Sequence, residues 1–109
     1  DERLLHVLER DRWEAVEDAY RTESLDSEGF VHFSTVDSIL AVAQYGHADA
    51  DDPVLLVVDP AELDAEVRYE ETPSGAFPHV HGPLGREAVV ELLEFPREDG
   101  RYVLPERLR

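Results

Sequence analysis

Residues Val54 to Val58 read VLLVV, an unbroken apolar run held between Pro53 and the pair Asp59-Pro60. Such a run is short for a helix and too apolar for a half-exposed strand, whose every second side chain would meet water. It therefore predicts a strand covered on both faces. A chain built around it needs further strands beside it and packing layers on either side. Leu4 to Leu8, LLHVL, supplies a second apolar strand interrupted only by His6, and its composition places it centrally in a sheet.

The remaining segments are read by period and by end signals. Asp11, with Glu14 three residues on, resembles a capping box, and Trp13, Val16 and Tyr20 fall on one helical face, so a helix is expected over 12–19. Thr22 to Glu28 is polar and turn-like, and Gly29 to Phe33 reads as a short strand. Ser34 followed by Asp37 marks a helix start, and Val36, Ile39, Leu40 and Ala43 form its apolar stripe, which ends near Gly46. After an acidic loop and the VLLVV strand, Asp59-Pro60-Ala61-Glu62 predicts one helical turn with Pro at its first position. Glu66 to Glu70 alternates as a half-exposed strand does. Thr72 to Gly85 holds three Pro and three Gly and is expected to be a loop. Ala88 to Phe95 suits helix or strand by period alone. The Asp99-Gly100 pair decides for strands on both sides of a hairpin. Mixed elements, with helices early and strands late, give an α+β fold rather than a doubly wound sheet.

At 109 residues, one domain spanning 1–109 is expected. Without cysteine, disulfides, zinc thiolates and thiol nucleophiles are excluded. No apolar run is long enough to cross a membrane as a helix, and Asp1-Glu2-Arg3-Leu4 does not read as a signal peptide, so a cytoplasmic location is expected. The 26 acidic residues oppose 10 basic ones, all of them Arg, for a net charge of −16. That field repels nucleic-acid backbones and makes a nucleic-acid partner unfavourable. No Gly-rich phosphate loop or nucleophile-elbow motif is present.

The chemistry must then come from histidines and carboxylates. His32 stands at a strand end just before Ser34 and Thr35, where a helix N-terminus and two hydroxyls could hold a polar ligand. A helix cap beside a hydrogen-bonded structural histidine is the plainer alternative. His79 and His81, in FPHVHGP, share one side of an extended segment that also carries Phe77. Glu70 or Glu71 could join them at a metal, but a lone His-x-His is a weak signal, and no metal is expected. Glu70, at a strand end, could orient a hydroxyl or act as a general base, or be one surface acid among many. His6 reads as a satisfied core histidine, His47 as a helix C-terminal partner, and Trp13 as core.

Taken together, LLHVL, Ser24-Leu25, EGFVHFST, VLLVVDPAEL, VRYE, FPHVHGPLG and the Asp-Gly hairpin resemble the bacterial family DUF952 over about residues 3 to 105. That family usually has Tyr where this chain has His81. The resemblance implies an ADP-ribosyltransferase-like fold, a small split or mixed sheet flanked by two main helices, in which a first-strand histidine holds the nicotinamide-side ribose. By analogy His6 takes that place, His32 with Ser34 forms the second element, and Glu70 or His79 lies nearby. It thereby implies NAD or a related nucleotide as ligand. Three functions are open on this reading. The first is ADP-ribosyl-type transfer, with His32, His79 and Glu70 catalytic and His6, Ser24, Ser34, Thr35, Phe77 and His81 binding. The second is an isomerase, cyclase or lyase using His32 and His79 as an acid–base pair without NAD. The third is a non-catalytic ligand-binding module.

Overall fold

The computed structural model describes residues 3–17, 19–73 and 75–108. The Asp1-Glu2 start, Asp18 of the expected first helix and Ser74 of the expected loop lie outside them. Strands β1 (Leu4–Glu9), β4 (Pro53–Val58) and β8 (Val89–Glu94) form one antiparallel sheet in the order β1-β4-β8. The VLLVV run thus occupies the central strand, and β4 is buried throughout. Its alternation explains why. Val54, Leu56 and Val58 enter one apolar cluster, and Leu55 and Val57 enter another on the opposite face. Helix α3 (Ile39–Gly46) covers the second cluster with Ile39 and Ala43, joined by Phe95 and Tyr102.

A second antiparallel sheet has the order β3-β6-β5, from β3 (Val31–His32), β6 (Gly75–His81) and β5 (Glu66–Thr72). Val31, Val80, Phe33 and Val67 turn one of its faces into the first cluster, against Leu4, Leu8 and Leu56. Among the described residues the two sheets are joined by one bridge, where Leu5 N–H donates to Ser34 O (2.8 Å) and Ser34 N–H to Leu5 O (2.7 Å). The fold is therefore mixed α+β with a divided sheet. A short pair, β2 (Ala19–Tyr20) with β7 (Leu84–Gly85), closes the first cluster, and β9 (Arg97–Glu98) with β10 (Arg101–Tyr102) forms the expected hairpin. Asp99 (φ 54°) and Gly100 (φ 80°) give it the two positive-φ positions of a type I′ turn.

Several expectations need correction. β1 is a sheet edge next to the bridge rather than a central strand. Helix α1 covers only Arg10–Glu14, with Glu9 and not Asp11 at its N-cap. Trp13 and Tyr20 share a core position because Tyr20 pairs with Leu84 in β2, not because one helix carries both. The segment read as a turn contains helix α2 (Glu23–Glu28), so three α-helices are present among the described residues. Thr22 caps α2 by accepting from Leu25 N–H, and Gly29 (φ 90°) ends it in the left-handed region. Ser34 starts no helix. Its backbone is committed to Leu5, and α3 begins only at Ile39.

The largest correction concerns Thr72 to Gly85. It is not a loop: β6 pairs with β5 along its whole length and is the central strand of its sheet. Pro78 is tolerated there because the carbonyl and nitrogen of one residue point to the same side of an antiparallel strand. The Pro78 carbonyl accepts from Phe33 N–H, just past the end of β3, so the missing N–H costs the β5 ladder nothing.

Candidate functional site

The β3-β6-β5 sheet has one apolar face in the core and one polar face outward. Register decides which side chains share the polar face. His32 pairs with His79, which pairs with Arg68; His81 pairs with Glu66, and Phe77 with Glu70. His32, His79, His81, Glu70 and Phe77 therefore stand on one surface; of these, alternation along FPHVH had grouped His79 with His81.

His79 is the centre of this group, and its residue surface is only 5% exposed. Its Nδ1 lies 2.8 Å from Glu70 Oε1, and His81 Nε2 lies 3.1 Å from the same oxygen. The hydrogen bond from His79, then that from His81, holds the Glu70 carboxyl below its ordinary range. An ionised carboxylate only accepts, so the facing nitrogens are both donors, Nδ1–H on His79 and Nε2–H on His81. In the neutral His79 ring this leaves Nε2 with a lone pair. That nitrogen has no protein partner, and no sealed side-chain nitrogen among the described residues is left unpaired, so Nε2 opens to solvent.

Phe30 lies over this imidazole in a parallel stack, ring centroids 4.0 Å apart and planes at 11°. It meets His32 edge-on at 4.8 Å and His81 at 5.4 Å. Gly29 turns the chain into this position, and Ser24 Oγ fixes it by donating to the Phe30 carbonyl at 2.8 Å. Ser24 thus holds Phe30 rather than standing in the cluster. His32 is exposed, 5.2 Å from His79 by ring centroids, with Nε2 3.2 Å from Glu28 Oε2.

His6 belongs to the layer beneath. Its Nδ1 is 2.7 Å from the His32 carbonyl and its Nε2 is 2.9 Å from Tyr20 Oη. A carbonyl only accepts, so Nδ1 carries the hydrogen and Nε2 accepts from the Tyr20 hydroxyl. Burial lowers its pKa to about 4, which keeps the ring neutral. Burial also raises the Tyr20 pKa. The core reading of His6 accounts for both nitrogens. Ser34 is buried, and Thr35 bonds within its own turn to Ser38; neither stands at a helix N-terminus. His47 ends α3 as its C-cap, Trp13 is core, and burial lowers the His47 pKa.

The cluster lies on the polar face of its sheet, with His79 covered by Phe30. A groove of about 730 Å³ lies elsewhere, lined by Arg12, Arg21, Val16, Tyr20 and Pro83 among others. The Tyr20–His6–His32 chain of hydrogen bonds links it to the cluster. The cluster is gathered by the register of β3, β6 and β5, where a loop was foreseen at β6. Among the described residues no group of three or more His, Cys, Asp or Glu is arranged to hold a metal, and no helix is long and apolar enough to cross a membrane. Phe30, Glu28 and Tyr20 were not picked out from sequence. Phe30 was findable, since it precedes His32 by two in an extended segment and so shares its side.

The DUF952 family, described only as a protein of unknown function, matches residues 7–92. The chain belongs to this family. Its fold is shared by protein CC0527 of Caulobacter crescentus. The crystal structure of that protein superposes with a TM-score of 0.86 at 23% identity, covering 97% of each chain. Its solution structure gives 0.74 at 24% identity, over 92% of this chain and 90% of the other. At this identity the likeness establishes the fold of this DUF952 protein and nothing of its activity. No curated protein matches it.

Proposed function

We propose that this DUF952 protein is an enzyme that moves a proton on a small polar molecule held against the β3-β6-β5 face. His79 is the proton-handling base and Glu70 the residue that orients it. The observation that carries this reading is the free Nε2 of a histidine whose other nitrogen is fixed by a carboxylate at 2.8 Å. A base oriented by a third group is the recurrent arrangement of general-base sites. His32, exposed beside His79, would return the proton. The reaction class is isomerisation, cyclisation or elimination, each of which needs one proton removed and one delivered.

The test is to incubate the protein with a bacterial metabolite extract and follow masses lost and gained. Masses that change with wild type, and not with His79→Ala or Glu70→Gln, support the proposal. A wild type that changes nothing, or variants that turn over equally well, would overturn it.

A second reading is favoured by the divided sheet. Two three-stranded sheets joined at the Leu5–Ser34 bridge are the kind of split sheet that the ADP-ribosyltransferase resemblance implies. Here NAD or a related nucleotide would be the substrate, and the cationic charge that develops on its ribose would be favoured by the carboxylates of Glu28 and Glu70. The fit is poor at two points: both His6 nitrogens are already engaged, and those carboxylates oppose a pyrophosphate. Calorimetry with NAD and an assay of nicotinamide release decide it. Absence of binding at millimolar NAD removes this reading.

A further inference from the structure

We propose that the face around Phe30, His79 and Glu70 recognises an organic nitrogen cation, so that the molecule acted on carries an amine, guanidine or quaternary ammonium group. The inference rests on the preceding proposal for the location of the site and adds the charge of its ligand.

Three observations converge on it. The formal charges on this face are unbalanced. Arg68 is the one guanidinium in the paired rows, and it is held by Glu66 at 2.8 Å, so those two cancel. Among the described residues, the carboxylates of Glu28 and Glu70 are hydrogen-bonded to imidazoles, and Arg68 acts on Glu70 only through charge. An anionic ligand would meet them without a counter-charge, inside the field of a chain of net charge −16. Next, the site presents aromatic surface. Phe30 stacks on His79, and Phe77 stands opposite Glu70 on the same face. A ring beside a carboxylate attracts an organic cation through its quadrupole and through charge. Finally, His79 is only 5% exposed, and the Nε2 of its ring has no protein partner and is not sealed from solvent. A ring nitrogen left in this way can meet a ligand atom or water.

The groove at Arg12 and Arg21 supplies an internal control. It mixes both signs of charge, with Asp11 and Glu17 beside the two arginines, and has no such ring cluster. A cation drawn merely by the acidic surface would spread over many sites. A cation recognised by this face would perturb Phe30, His79 and His81 first.

The test uses three probes that share a phenyl ring: benzyltrimethylammonium, benzyl alcohol and phenylacetate. Each is titrated into ¹⁵N-labelled protein and followed by NMR. The expected result is saturable shifts at residues 30–32 and 77–81 with the cation alone. Glu70→Gln should weaken binding about tenfold, and Phe30→Leu should weaken it too, while both variants retain the wild-type Trp13 fluorescence. Equal or stronger binding of phenylacetate overturns the proposal. So do shifts with the cation that are unsaturable and spread evenly over the acidic surface, or that survive both substitutions undiminished. Binding that behaves as expected in a protein without turnover would retain this inference and remove the proton-transfer reading; turnover of an anionic molecule would do the reverse.

Discussion

His6 offers a quantitative test of how the interior is built. Burial lowers its pKa from 6.5 to about 4. Since the folded value lies below the unfolded one, the unfolded chain binds the extra proton between them. Stability from this group is therefore complete above about pH 6.5 and declines as pH falls toward 4. At about 1.4 kcal/mol per pH unit, the gap amounts to about 3 kcal/mol when fully expressed, of which about 2 kcal/mol is lost by about pH 5. The perturbation is His6→Gln, which keeps an amide donor and an acceptor but does not titrate. Urea unfolding followed by fluorescence of Trp13, the one tryptophan, gives the stability of each protein at about pH 7.5 and about pH 5. Relief of repulsion among the surface carboxylates as pH falls is common to both proteins and cancels in the difference. Wild type should lose about 2 kcal/mol more than the variant over this interval. Equal slopes would mean that His6 takes up its proton as readily in the folded state as in the unfolded chain. The neutral bridge between Tyr20 and the His32 carbonyl would then be refuted.

Other consequences follow from the same packing. Leu56→Ala removes a fully buried side chain from the central strand and should cost about 2–5 kcal/mol in urea unfolding. Gly29→Ala meets no atom within 4 Å but keeps a φ of 90°, so it should cost about 1–2 kcal/mol through backbone strain alone, read the same way. In Glu70→Gln, the amide can face His79 with either donor or acceptor. Long-range ¹H–¹⁵N spectra should show neutral His79 changing from the Nδ1–H form to a mixture of tautomers, and an unchanged spectrum would contradict the shared-carboxylate geometry.

Where local pattern and burial agree, the sequence was transparent. VLLVV could only be a doubly covered strand, Asp59-Pro60 could only open a turn, and Asp99-Gly100 carried its own hairpin geometry. The failures have physical reasons. In α2 the residues ESLDSE bury nothing fully and show no apolar stripe, so the helix is set by its ends, Thr22 and Gly29, and not by a period that a sequence displays. β6 was hidden by Pro78 and the flanking Pro73 and Pro83, because a proline's permissible side in a sheet depends on the neighbouring strand and not on its own segment. The site was legible to the extent that alternation groups His79 with His81. The meeting of both with Glu70 depends on the β5-β6 register, and that of His32 with His79 on the β3-β6 register; both are tertiary facts.

The Leu5–Ser34 bridge has a further meaning. With the bond from His6 to the His32 carbonyl, it forms a seam of three hydrogen bonds between the sheets. His79, Glu70 and His32 all lie on one side of that seam, and Tyr20 and the Arg12 groove are reached from the other through His6. Scissoring at the seam would change how the groove stands to the histidine face while leaving the 2.8 Å spacing of Glu70 and His79 intact. The hydrogen bonds of the seam and those that fix Glu70 on His79 are therefore separate sets, although both sheets share one apolar cluster. Amide exchange at Leu5 and Ser34 reports on the first, and exchange along β6 on the second.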